Sequence, residues 1–135
     1  MPRHRLAPRL LFLACAASLV ATACDDTDPE RFDHEIRVQV DSFFPKNIVV
    51  GVGSRVRWVN VQRKDQGTAR SVTSGTGPDD TDAGALFDAV VDGFETGEIE
   101  GDEFIHRFTD IGTFSYFSRL PEGEEFGGTV VVQGQ

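Results

Sequence analysis

Ile36, Val38 and Val40 alternate with Glu35, Arg37 and Gln39. A period of two predicts a strand with one buried and one wet face. Ile48 to Val50 is a second apolar run, and Gly51 and Gly53 mark the turn after it. Ser54 to Asn60 alternates again, around Val56 and Trp58. Arg70 to Ser74 is a short strand candidate. Phe104–Phe108 and Thr113–Phe117 flank a tight turn at Asp110-Ile111-Gly112, and Gly128–Val132 supplies a last strand. A helix has room only around Gly84–Val91, and it would be brief. Short strands separated by glycine-rich turns predict an all-β fold, a Greek-key sandwich of about seven to eight strands. No internal repeat interrupts this pattern.

The first residues do not fit it. Arg3, Arg5 and Arg9 precede an apolar run from Leu10 to Val20, broken only by Ser18. That run is too short to span a bilayer. A basic start, a short apolar stretch and small residues form a secretory signal. Its end, Val20-Ala21-Thr22-Ala23-Cys24, resembles a bacterial lipoprotein signal. The resemblance implies removal of residues 1–23 and lipidation of Cys24. The other reading is an ordinary cleaved signal that happens to contain cysteines. Cys15 leaves with the apolar run and Cys24 would carry the lipid, so the mature domain is expected to have no disulfide and no free thiolate. Residues 24–33 are acidic and form a solvated tether. Residues 34–135 form one domain. The chain is thus expected to be exported and membrane-anchored, facing the periplasm or the cell exterior.

Charge narrows the partners. The 135 residues carry 13 Lys+Arg and 22 Asp+Glu, a net charge of −9. The signal segment holds three of the arginines and no acid, so the mature chain is more acidic still. This argues against a nucleic-acid binder, which needs a basic footprint to neutralise phosphates. It also leaves nothing to attract anionic headgroups. The expected partner is an envelope protein or ligand, with the membrane held through the lipid alone.

Several segments in order resemble a cupredoxin of the plastocyanin type. They are Phe44-Pro45-Lys46-Asn47-Ile48-Val49-Val50 with Gly53–Asn60, Ser71-Val72-Thr73-Ser74-Gly75, Phe104–Thr109 with Gly112–Phe117, and Gly128–Val132. The resemblance covers roughly residues 35–133 and implies one-electron transfer at a type 1 copper. That chemistry needs a thiolate, two imidazoles and usually a weak axial thioether. The family pattern puts the first histidine at Arg70, the cysteine at Ser118, the second histidine at Pro121 and the methionine at Phe126. A guanidinium stays protonated and repels a cation. A serine hydroxyl is a hard, weak donor, and proline and phenylalanine side chains offer no lone pair. No histidine lies between Asn60 and Arg70, and the only methionine is Met1.

No copper is therefore expected, and the domain is expected to be a binding module rather than an enzyme. Phe117, Leu120 and Phe126, with Pro121, would offer an apolar contact surface where the metal would have been. The alternative is a copper-binding electron carrier with a non-standard site built on His34 and His106. Each of these histidines otherwise fits a packed or edge position in a strand. No nucleophile–base pair stands out beside Ser118.

Pro78 to Glu103 carries ten acids and no base. Asp79-Asp80-Thr81-Asp82-Ala83-Gly84 suggests a calcium loop but misses the EF-hand register. The stretch is expected to be a solvated, self-repelling loop. Arg63, Lys64 and Arg70 precede it and could pair with it, and Arg70 could also receive a partner's carboxylate.

Overall fold

The computed structural model describes residues 28–66 and 69–135. The signal segment and Cys24 lie outside the described residues.

Among the described residues there are nine strands. They are β1 (His34–Val38), β2 (Phe43–Phe44), β3 (Asn47–Gly51), β4 (Arg55–Asn60), β5 (Arg70–Ser74), β6 (Asp88–Val91), β7 (Glu103–Arg107), β8 (Gly112–Ser118) and β9 (Phe126–Gln133). One sheet has the order β2-β1-β4-β7 and the other β3-β9-β8-β5-β6. β1 runs parallel to β4, and β3 parallel to β9; the remaining pairs are antiparallel. Parallel neighbours need crossovers between the sheets, which makes this a Greek-key sandwich and not a meander.

The inward positions are those the alternation marks. Ile36 and Val38 of β1, Val56 and Trp58 of β4, Val72 of β5 and Val130 and Val132 of β9 are buried in one cluster. Trp58 anchors it. Its ring centroid lies 5.3 Å from Tyr116, 5.6 Å from Phe87, 5.7 Å from Phe104 and 6.4 Å from Phe108. Large aromatic rings thus bridge the gap between the two sheets. Within the five-stranded sheet the packing is tightest at Gly128, where an added Cβ would clash with the Lys46 carbonyl oxygen and the Tyr116 hydroxyl.

Three expectations are corrected. The alternation at Val40 does not extend β1. The Gln39 N–H donates to the Ser42 carbonyl at 2.9 Å, so the chain turns after Val38 and leaves Val40 exposed. No helix forms around Gly84–Val91. Residues 88–91 are β6, an edge strand paired with β5 from Thr73↔Asp88 to Arg70↔Val91, and Phe87 and Val91 enter the core. Burying two side chains against a ready-made strand outweighs a short helix that would be marginal alone.

The acidic stretch, finally, is not a loop of mutually repelling charges. Glu100 and Glu103 join Glu35 around the Arg57 guanidinium, whose side chain is 12% exposed. Desolvation works against the Arg57 charge. Hydrogen bonds and the field of Glu100 and Glu103 outweigh it and hold its pKa above the usual range. Asp92 and Glu95 flank the Lys64 ammonium at 3.4 and 3.1 Å. Asp88 takes the Arg119 guanidinium. Residues 28–33 also touch the domain: the Asp33 carboxylate accepts the Arg55 N–H at 2.9 Å, and Arg57 lies 5.0 Å over the Phe32 ring.

Candidate functional site

The end of the sandwich where β5 starts, β8 stops and β9 starts gathers the sequence-marked residues. β5 must leave a long connection at Arg70, and β8 must turn at Ser118 into residues 119–125, so these positions meet. The Ser71 N–H donates to Ser118 Oγ at 3.0 Å, and Ser118 lies directly opposite Phe126 in the β8–β9 ladder. Arg70, Ser118 and Phe126 therefore share one end. Pro121 stands apart on the exposed turn, where its carbonyl accepts the Glu124 N–H at 3.2 Å.

Arg70 is only 3% exposed. Its Nε and Nη2 both donate to the Val40 carbonyl, at 3.0 and 2.7 Å, and Nη1 donates to the Ala69 carbonyl at 3.0 Å. The guanidinium thus ties β5 of one sheet to the β1–β2 turn of the other. It is committed inward, and the carboxylate expected from a partner does not find it on the surface. Ser118 Oγ accepts from Ser71 N–H and donates to the Leu120 carbonyl at 2.8 Å. No base takes its proton.

A closed ring of polar groups lies beside it. The Arg119 N–H donates to Ser71 Oγ at 2.9 Å, and Ser71 Oγ lies 2.9 Å from Thr73 Oγ1. Thr73 Oγ1 donates to Asp88 Oδ1 at 2.9 Å, and Asp88 Oδ2 takes the Arg119 Nη2. Thr73 has one hydroxyl proton and gives it to the carboxylate, so Ser71 donates to Thr73. The ring fixes the direction in which the chain leaves β8. Sequence reasoning missed it; its only trace was Ser71 and Thr73 at alternate positions beside the early part of the acidic stretch.

Solved structures with the same arrangement of strands include the purple cupredoxin from Nitrosopumilus maritimus. It is 21% identical, with a TM-score of 0.54, over 75% of this chain and 100% of that chain. A mutant of amicyanin in its Cu(I) form is 20% identical, with a TM-score of 0.50, over 76% of this chain and 84% of that chain. The fold is cupredoxin-like. No family model matches the chain, and no curated protein matches it.

A cupredoxin-like fold implies a copper at the end just described, and the donor set there does not fit one. Arg70 presents hydrogen-bond donors only, the Ser118 hydroxyl is engaged on both sides, and Phe126 presents a ring 4.8 Å from Phe43. Among the described residues, no three His, Cys, Asp or Glu side chains converge as a metal-holding group.

The two histidines sit at the far end of the sheet. His34 and His106 are both in register with Val56, one on each side of it. Their backbones are therefore about 10 Å apart, two strand spacings, with Val56 between them. His106 lies among rings, 4.9 Å from Phe87 and 4.8 Å from Phe108. Burial there pushes its imidazole pKa below the usual value.

In the calcium-like segment the Asp80 carboxylate is taken up by its own neighbours. Asp80 accepts the Thr76 N–H and the Asp82 N–H, each at 2.9 Å, and the Thr76 hydroxyl at 3.2 Å. These bonds, that from Thr76 N–H first, hold the Asp80 carboxyl below its ordinary range. Of the residues expected to form an apolar contact surface, Phe117 is 3% exposed and Leu120 and Phe126 are half-buried. Of the expected surface, Leu120 and Phe126 remain partly open and Pro121 is exposed. A buried amide lies nearby: Gln62 is 6% exposed, and neither Nε2 nor Oε1 has a hydrogen-bond partner among the described residues.

Proposed function

We propose that the chain is an exported, lipid-anchored cupredoxin-like domain that works without type 1 copper, as a binding module at the cell envelope. The observation that carries this reading is Arg70. A guanidinium, buried and bonded to the Val40 and Ala69 carbonyls, occupies the position that the family pattern gives to the first imidazole. It adds a fixed positive charge to a place where a copper ion would add another. The engaged Ser118 hydroxyl supports the same reading, since a soft thiolate has no substitute there. The anchor rests on the lipoprotein-like end of the signal, and its partner is an envelope protein or ligand contacted at the Leu120 and Phe126 end.

Two measurements test this. Purified protein is mixed with copper(II), desalted, and read for metal content and visible absorption. The expected result is no intense thiolate-to-copper band and no retained stoichiometric copper; tight one-to-one copper refutes the reading. Expression of the full chain in a bacterial host tests the anchor. The protein should partition with membranes and carry the mass of a diacylglyceryl group, and Cys24→Ser should release it. A soluble wild-type protein cleaved elsewhere than before Cys24 removes the anchor from the proposal.

A further inference from the structure

Residues 28–33 are fastened to the domain they precede. The Asp33 N–H donates to the Arg55 carbonyl at 2.8 Å, and the Asp33 carboxylate accepts the Arg55 N–H at 2.9 Å. Arg55 Nη1 donates to the Asp28 carbonyl at 3.0 Å, and the Phe32 ring lies under the Arg57 guanidinium. Asp28 also closes a turn. Its carbonyl accepts the Arg31 N–H at 3.3 Å, and its carboxylate accepts the Glu30 N–H at 2.9 Å. The segment is thus held from Asp28 up to the start of β1.

These contacts sit at one pole of the sandwich. Arg55 begins β4. Just before it, the Gly53 N–H donates to the Phe108 carbonyl after β7, and the Val52 N–H donates to the Gln133 carbonyl at the end of β9. Phe126 begins β9, and at roughly 3.3 Å a residue the length of that strand sets the two poles about 23 Å apart. The Leu120 and Phe126 end is therefore opposite the fastened segment. From Cys24 to Asp28 the chain reaches at most about 14 Å. With residues 28–33 released, the reach from Cys24 to His34 would be about 36 Å. The first length is shorter than the sandwich, and the second is longer. Charge acts in the same sense. Glu122, Glu124 and Glu125 are exposed beside Leu120 and Phe126, and anionic headgroups repel them.

We propose, on the reading of Cys24 as the lipidated residue, that residues 28–33 are a strap that stands the domain on its Arg55 pole. The Leu120 and Phe126 pole then faces away from the bilayer. It meets partners that approach from the aqueous side, not ones embedded in the same membrane. The short connection keeps the far pole from turning towards the headgroups, and a released segment would let either pole meet them. Two of the strap's bonds use the backbone N–H and C=O of Arg55, so its place is set by the start of β4 and not by side chains alone.

The test uses the full chain with Cys15→Ala, whose only thiol is Cys24. Coupling that thiol to a maleimide phospholipid in a nanodisc supplies the anchor whether or not a cell adds one. Headgroups that carry a gadolinium chelate then speed the relaxation of nearby amide protons, read by nuclear magnetic resonance. Gly53 and Ile111, at the Arg55 pole, should relax several-fold faster than Glu122 and Glu124 at the far pole. Phe32→Ala with Asp33→Pro removes the ring, the carboxylate and the N–H that fasten the strap. That variant should bring the two poles to similar rates with an unchanged circular dichroism spectrum. Equal rates at the two poles of the intact strap overturn the proposal, as does faster relaxation at Glu124. So does a difference between poles that survives the double substitution. The anchor is judged separately, by mass. A host that leaves Cys24 without its diacylglyceryl group overturns the anchor and the proposal with it, whereas an anchored chain without orientation overturns the strap alone.

Discussion

Removing the Arg70 guanidinium should loosen the end of the sandwich. Among the described residues the side chain makes three hydrogen bonds to carbonyl oxygens, two of them to Val40, and it is almost fully buried. A hydrogen bond to a charged group contributes about 1.5–3 kcal/mol. The two bonds to one carbonyl act as a single forked clamp, and the bond to the adjacent Ala69 carbonyl constrains the chain little. Arg70→Met keeps the aliphatic stem and deletes the clamp, and it leaves the Val40 carbonyl without its partner. We expect a loss of about 2–4 kcal/mol, from the clamp and the orphaned carbonyl together. Arg70→Lys should recover part of it, since an ammonium reaches one acceptor but cannot form the fork. Urea unfolding followed by circular dichroism measures this. With a slope of about 2 kcal/mol per molar, the midpoint should fall by roughly 1–2 M with the slope unchanged. A midpoint within error of the wild type for Arg70→Met would refute the clamp. A Lys variant as stable as the wild type would show that the fork geometry contributes nothing.

Other parts of the structure give equally direct expectations. His106 has its pKa lowered by burial, so the folded state resists its protonation. Its contribution to stability is complete above the unfolded value of about 6.5 and is lost as pH falls through the lower folded value. Melting temperatures across that window should drop for the wild type and flatten for His106→Phe; an unchanged slope in the variant would show that other groups set it. Gly128→Ala forces a methyl group against the Lys46 carbonyl and the Tyr116 hydroxyl and should cost upwards of about 3 kcal/mol or abolish folding, read by unfolding or by soluble yield. Gln62→Met should raise stability by about 1–3 kcal/mol, because it replaces a buried amide that has no partner among the described residues with an apolar chain of similar length. A destabilised Gln62→Met would mean that the amide is bonded in solution.

Much of the fold is legible in the sequence because its strands alternate. Ile36 and Val38, then Val56 and Trp58, mark their faces without help from the rest of the chain. β6 escaped because Asp-Ala-Val-Val is too short to show a period, and its identity depends on β5 lying alongside. The acidic stretch was misjudged for a related reason. Lys64 was expected as a partner and pairs with Asp92 and Glu95, but Arg57 and Arg119, which take Glu100, Glu103 and Asp88, are brought to the stretch only by the sheet order. At the candidate site, the proximity of Arg70, Ser118 and Phe126 followed from the family pattern. The partner of Arg70 did not, because a backbone carbonyl such as that of Val40 leaves no mark in a sequence. Phe117 shows the same limit. Its place at a strand end suggested a surface, and the folded chain covers it.

The chain has one tryptophan and one tyrosine, and they meet. Trp58 belongs to β4 in one sheet and Tyr116 to β8 in the other, with ring centroids 5.3 Å apart. Light absorbed by the phenol therefore passes to the indole whenever the sheets are together. The native protein emits as a tryptophan protein, and tyrosine fluorescence appears only when the two layers part. Separation of the sheets can thus be timed optically, on the unlabelled molecule, apart from any loss of strand structure within either layer.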